Sequence, residues 1–201
     1  KGAVDQIFIN TSGIGFREEN LNLGADMVRS GDSVVVSGPV GNHGLVILAS
    51  RMGITLTHGL VSDCGCLWPL IREAIDHFPV RFMRDATRGG LATVLKELTT
   101  ASKLDLTLYE QEIPVSQEVM ELSQMLGVDP LYLANEGRFI AVVPEESASG
   151  LAERLNRFDF GKGAAVIGRL QEGSGGVFLR TRFGGTRKLD FLRGQHIPRI
   201  C

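Results

Sequence analysis

The chain has 201 residues, a formal charge of 21 − 23 = −2, 43% hydrophobic and 22% charged residues. Enough apolar material is present for a sizeable core, and the near-neutral balance carries no electrostatic footprint for nucleic acid or an anionic membrane. No apolar run has the length of a membrane span, no signal-peptide layout opens the chain, and three cysteines make no disulfide framework, so the expectation is a cytoplasmic protein with reduced thiols.

Gln6 to Asn10 alternates like a strand. A domain rarely opens so abruptly, and Lys1 is not a methionine, so residues are expected to precede it. Thr11 to Gly31 is polar and without period. Ser33 to Ser37 is a β-branched run that reads as a buried strand, turned by Gly38-Pro39-Val40-Gly41. From Asn42, the residues Leu45, Leu48 and Met52 recur at helical spacing. A second helix carries Leu67, Leu70, Ile71 and Ile75, with Ser62 or Asp63 as its cap.

Val80 to Arg84 is a short strand, followed by an amphipathic helix with Leu91, Val94, Leu95 and Leu98 on one face. Leu104 to Tyr109 is a strand. Pro114 and Ser116 start a helix with Val119, Leu122 and Leu126 inward, and Gly127 ends it. Arg138 to Val143 is a strand, Glu145 to Phe158 a helix, and Ala164 to Leu170 and Gly176 to Leu179 are closing strands. Strands and helices mix without strict βαβ alternation, so the class is α+β.

Two turns and a tail carry chemistry. Met83 to Gly90 spans a strand end and a helix start, where free N–H groups and the helix dipole favour an anion. Gly89 and Gly90 allow close approach of a ligand, Thr87 can donate a hydrogen bond, Arg88 can pair with a phosphate, and Asp85 can hold magnesium. The plainer reading, that Asp85 or Thr87 only caps the helix, stands level with it. Glu136, in Leu133 to Gly137, is a carboxylate at a strand entrance between apolar residues, where a raised pKa would suit a base; a solvated turn residue is the commoner case. His43, after Asn42 at a helix start, can orient a phosphate or a carboxamide, or merely cap.

Cys64 and Cys66 form a Cys-x-Cys, poor for a disulfide and at most half a zinc site. Residues 193–201 end in Ile-Pro-Arg-Ile-Cys, an extended arm that places a thiol, Cys201, at its tip. Arg199 can raise its thiolate fraction. Frayed chain ends are usually functionless. A tethered thiol, however, can enter a narrow site and leave it again.

Met-Arg-Asp-Ala-Thr-Arg-Gly-Gly-Leu-Ala at 83–92, Ala-Asn-Glu-Gly at 134–137 and the ending Pro-Arg-Ile-Cys together resemble the HypE hydrogenase maturation factors. That family lies in the aminoimidazole ribonucleotide synthetase (PurM) superfamily. Ile7 to Thr11, Gly31 to Gly38 and Asn42 to Gly44 extend the resemblance along the chain; Asn42 stands where aspartate is expected and Ala86 where proline is common. The resemblance implies a PurM C-terminal-like domain over residues 32–190, a mainly antiparallel mixed sheet covered by helices. Residues 1–31 would end an N-terminal ATP-binding domain and 191–201 would be the carrier tail.

It further implies ATP-dependent dehydration of a carboxamide on the Cys201 sulfur to a thiocyanate, the cyanide source for the iron of nickel–iron hydrogenases. Glu136 would be the base. Asp85, Thr87, Arg88, Gly89, Gly90, Asn42 and His43 would bind ATP, with Mg2+ on Asp85. The implied partners are the carbamoyltransferase HypF, the HypC–HypD complex and a second copy in the full-length homodimer, with no nucleic acid or membrane. Residues 1–201 alone would not turn over ATP. The competing readings are another ATP-dependent kinase or synthetase of the superfamily, a non-catalytic module that docks by its tail, and a redox protein using Cys64 and Cys66.

Overall fold

A computed structural model of the chain describes residues 12–16, 18, 21–56 and 59–192. The expected strand at Gln6–Asn10 and the carrier Cys201 lie outside the described residues. The elements in chain order are β1 (Ser33–Val36), α1 (Asn42–Arg51), α2 (Trp68–His77), β2 (Phe82–Asp85), α3 (Gly90–Ser102), β3 (Leu104–Tyr109), α4 (Gln117–Leu126), β4 (Phe139–Val143), α5 (Glu145–Leu155), β5 (Ala165–Glu172), β6 (Val177–Arg180) and β7 (Thr186–Leu189). Short 3-10 turns occur at Glu110–Glu112, Pro130–Tyr132 and Asp159–Gly161.

The strands form one seven-stranded sheet in the order β2-β4-β1-β5-β3-β6-β7. Every pairing is antiparallel except β3 with β6. The α+β expectation therefore holds, with the mixed, mainly antiparallel sheet that the resemblance implied.

Period-two alternation divides the core into two layers. Val34 and Val36 of β1 join Ile140 and Val142 of β4 beneath Leu91, Leu95 and Leu98 of α3. Val35, Phe139, Ala141 and Val143 point the other way, against Leu70 and Ala74 of α2 and Leu151 and Leu155 of α5. Helices thus cover both faces. Each buried leucine contributes on the order of 2 kcal/mol. A third, smaller cluster of Leu45, Val119 and Leu133 ties α1 and α4 to the segment that enters β4.

α4 forms as the sequence predicts: Ser116 accepts the Val119 N–H, and Gly127 ends the helix at φ 66°. α2 does not. It starts at Trp68, with Pro69 in its first turn and no side-chain cap. Ser62 and Asp63 lie several residues earlier, and their oxygens are used elsewhere. α5 stops at Leu155, short of the expected Phe158. β7 was not foreseen: Thr186-Arg187-Lys188 is exposed and only Leu189 is buried, so no apolar pattern marks it. Near the end of the described chain, the Tyr132 hydroxyl donates to the carbonyl of Asp190 at 2.8 Å, and Arg187 pairs with Asp129 at 2.8 Å.

Candidate functional site

Four segments meet at one end of the central strands: the turn after β1, residues 62–66, the turn from β2 into α3, and residues 133–138 leading into β4. Asn135 joins three of them. It is fully buried. Its amide oxygen accepts the Gly41 N–H at 2.7 Å, and its amide nitrogen donates to the carbonyls of Ala86 at 3.0 Å and Leu133 at 3.1 Å. Its own N–H reaches the Ala86 carbonyl as well, at 3.2 Å, and Gly44 N–H bonds the Ala134 carbonyl at 2.9 Å. Side-chain amides satisfy such buried backbone groups because each carries both donors and an acceptor.

Glu136 is placed by Asp63. The Glu136 N–H donates to Asp63 Oδ1 at 3.0 Å. Asp63 Oδ2 is buried without a hydrogen bond among the described residues and lies 4.0 Å from Arg138 Nε. Arg138 in turn donates to the carbonyls of Pro39, Gly137 and Phe160, each at 2.9 Å. Burial lowers the guanidinium pKa and the Asp63 charge opposes that shift, so the two form a largely buried ion pair with no hydrogen bond between them among the described residues. Gly137 allows this closeness: a Cβ there would lie 1.7 Å from the Asp63 carbonyl oxygen.

His43, the second residue of α1, approaches the same carboxylate. Its Nδ1 is 2.8 Å from Ser62 Oγ, and its Nε2 is 4.0 Å from Glu136 Oε1. The two side chains are 14% and 29% exposed. His43 does not cap: the α1 N-terminus begins at Gly41 in a left-handed conformation, with no side-chain cap. Neighbouring Asn42 has a buried Oδ1 without a hydrogen bond among the described residues.

At the β2–α3 turn, neither Asp85 nor Thr87 caps the helix. α3 starts from Gly89 at φ 71°, with no side-chain cap. The Thr87 hydroxyl instead donates to Asp85 Oδ2. Arg88 is exposed and engages no partner among the described residues. Gly90, at φ 62°, has a packing reason: a Cβ there would lie 2.4 Å from the Leu133 carbonyl oxygen. The backbone of Ala86, bonded to Asn135 on one side and to the Arg138 carbonyl on the other, fixes this turn against the Glu136 segment.

The uncapped α3 terminus, the left-handed glycines and the uncommitted Arg88 suit the phosphates of a nucleotide. The magnesium expectation rests on Asp85 alone, since no group of three metal-capable side chains exists among the described residues. Cys64 and Cys66 are both exposed and free. Asp63, Asn135 and Arg138 were missed as site-building residues. Only their place beside Glu136 in the motif hinted at the last two.

Residues 29–180 match the C-terminal domain of the AIR synthase related protein family. Over its whole length the chain is 42% identical to the carbamoyl dehydratase HypE of Rhodobacter capsulatus, of which it covers 60%. It is similar to the crystal structure of hydrogenase maturation protein HypE in complex with ATP, at TM-score 0.84 and 36% identity, covering 89% of this chain and 55% of that one. It is also similar to the structure of a HypE–HypF complex, at TM-score 0.81 and 31% identity, covering 85% and 56%. The chain spans about 60% of the length of the curated relatives it matches. No helix among the described residues is long and apolar enough to cross a membrane.

Proposed function

The chain belongs to the AIR synthase related protein family through the C-terminal domain it carries, and from that premise we propose that it acts in hydrogenase maturation as the C-terminal part of an ATP-dependent carbamoyl dehydratase. The observation that carries this reading is the Asp63-anchored Glu136, set 4.0 Å from His43. It is joined through Asn135 and Ala86 to the anion-favouring start of α3. The whole-chain likeness to HypE proteins supports it.

In the proposed reaction Cys201 carries a carboxamide on its sulfur. The carboxamide oxygen leaves as phosphate and both nitrogen-bound protons are lost, which turns S–C(=O)NH2 into S–C≡N. ATP supplies the phosphoryl group that makes the oxygen a good leaving group. Glu136 accepts a nitrogen-bound proton. Arg88 and the Gly89–Gly90 backbone, with Thr87, Asn42 and His43 nearby, hold the phosphates and stabilise charge on the transferring group. Magnesium would neutralise phosphate charge, and Asp85 is the residue of this chain offered to it. Tethering makes the thiol-borne amide an intramolecular reactant.

The reading includes residues 1–31 as the end of an ATP-binding domain that completes the site, so residues 1–201 alone do not turn over ATP. It includes a cytoplasmic location, HypF as the carbamoyl donor, HypC–HypD as the acceptor complex, and a homodimer of the complete protein. The test is mass spectrometry of the C-terminal peptide after the complete protein is incubated with HypF, carbamoyl phosphate and ATP. A carboxamide on Cys201 that becomes a nitrile is expected. An unmodified Cys201 would overturn the reading.

A further inference from the structure

The proposed reaction removes two protons from one nitrogen, the first as the oxygen is phosphorylated and the second as phosphate leaves. A single carboxylate can take both only if it passes the first one on in between. The neighbourhood of Glu136 contains a group that can receive it.

We propose that His43 is a proton-relay residue that acts through Glu136, with Ser62 held against its Nδ1; the inference rests on Glu136 being the base. Consecutive residues hold the two partners: Ser62 Oγ lies 2.8 Å from His43 Nδ1, and Asp63 Oδ1 accepts the Glu136 N–H at 3.0 Å. His43 and Glu136 come from segments far apart in the chain. One dipeptide therefore fixes their separation.

The relay uses one of the two tautomers that the Ser62 contact permits. Ser62 Oγ already accepts the Cys64 N–H at 3.1 Å. Its second lone pair can accept His43 Nδ1–H, which leaves the Nε2 lone pair facing Glu136 Oε1 at 4.0 Å. While Glu136 is ionised, two acceptors face each other and no bond forms, which suits that distance. Once Glu136 is protonated, its O–H donates to Nε2 after an approach of roughly 1 Å.

The proton then moves from the carboxamide nitrogen to Oε1, from Oε1 to Nε2, and from the imidazolium to water. The carboxylate is restored, and no oxidant or reductant takes part. Among the described residues, the charged groups beside this path include Glu136 itself and buried Asp63, whose charge Arg138 balances. With the His43 side chain 14% exposed, water reaches the ring without flooding the pair.

The experiment follows nitrile formation on Cys201 in the complete protein, pre-carbamoylated by HypF and then mixed with ATP. At saturating ATP, His43→Ala is expected to slow nitrile formation ~10- to 100-fold, and imidazole added to the solution is expected to restore much of the rate. His43→Gln, which keeps a donor toward Ser62, is expected to be equally slow and equally folded. A wild-type rate in His43→Ala, or a slow folded variant that imidazole does not rescue, would overturn the relay while leaving the dehydratase reading intact. Nitrile formation by Glu136→Gln at the wild-type rate would overturn both the base and the relay.

Discussion

Asp63 Oδ1 accepts the backbone N–H of Glu136 at 3.0 Å, across 73 positions of sequence. The bond sets the height of a motif carboxylate by a residue that no motif contains. Its other oxygen faces Arg138 at 4.0 Å, and the Asp63 side chain is wholly buried. Asp63→Ala leaves a buried guanidinium without its counter-charge and an N–H without its acceptor. The expected loss is about 3–5 kcal/mol of unfolding free energy, read by urea denaturation, whereas Asp63→Asn keeps the acceptor and loses less. Equal stabilities for the two variants would refute this account of the pair.

Gly137 is the contact that makes the bond possible. A Cβ there would overlap the Asp63 carbonyl oxygen at 1.7 Å, and backbone cannot yield as a flexible side chain would. Gly137→Ala should cost about 1–3 kcal/mol or more, seen as a lowered thermal midpoint. Gly53→Ala is the control. Open space surrounds it, so only the strain of its φ of 68° opposes a Cβ there, and its loss is the smaller one.

Asn135 bonds three backbone partners from three segments. Asn135→Ala strands the Gly41 N–H and the Leu133 carbonyl, each costing about 1–3 kcal/mol unless water enters, and leaves the Ala86 carbonyl with the residue-135 N–H alone. Asn135→Asp turns a donor into an acceptor opposite two carbonyls and should be no better. Calorimetry of both variants checks this, and a native-like Asn135→Asp would show that the site tolerates the swap.

Acid stability should depend on Asp105. Its Oδ1 accepts the N–H groups of Gly176 and Ser174 at 2.7 and 2.9 Å. Those bonds, the Gly176 one foremost, hold its pKa below the usual carboxylate range. A depressed folded pKa stabilises the fold above the unfolded value of about 3.9, and that contribution is lost as pH falls through the folded value. Asp105→Asn should therefore flatten the stability profile on the acid side of pH 4 to 5. An unchanged acid limb would rule the contribution out.

Among the cysteines only Cys201 should matter for nitrile formation. Cys201→Ser is expected to abolish the modified C-terminal peptide. Cys64→Ser and Cys66→Ser, both at exposed positions, are expected to retain it. The reverse pattern would favour a redox role for the Cys-x-Cys.

Helix α3, strand β1 and helix α4 were legible because their signals are local: a stripe at helical spacing, a β-branched run, a serine cap and a terminal glycine. β7 escaped because an exposed edge strand of Thr, Arg and Lys needs no apolar alternation. Ser62 and Asp63 misled in an instructive way. Both are good capping residues, but His43 and Glu136 compete for their oxygens, and tertiary partners won. Pro69, at the first turn of α2, was the better local sign of where that helix starts. Asp85, Thr87, Glu136 and His43 were legible as residue types in turns. Their mutual distances were not, because contacts between the 40s, 60s, 80s and 130s leave no periodic trace.

The bond between the Tyr132 hydroxyl and the Asp190 carbonyl has a consequence for delivery. Tyr132 precedes Glu136 by four residues, at most about 14 Å of chain, so Asp190 is held on the segment that leads to the base. From there 201 − 190 = 11 residues remain, a span of at most about 40 Å. In the proposed reaction the carrier sulfur is then confined to a small volume around its target. Its local concentration is on the order of millimolar, set by covalent geometry and not by affinity. A free C-terminal peptide, even one bearing the same carboxamide, would need a comparable concentration in solution to compete.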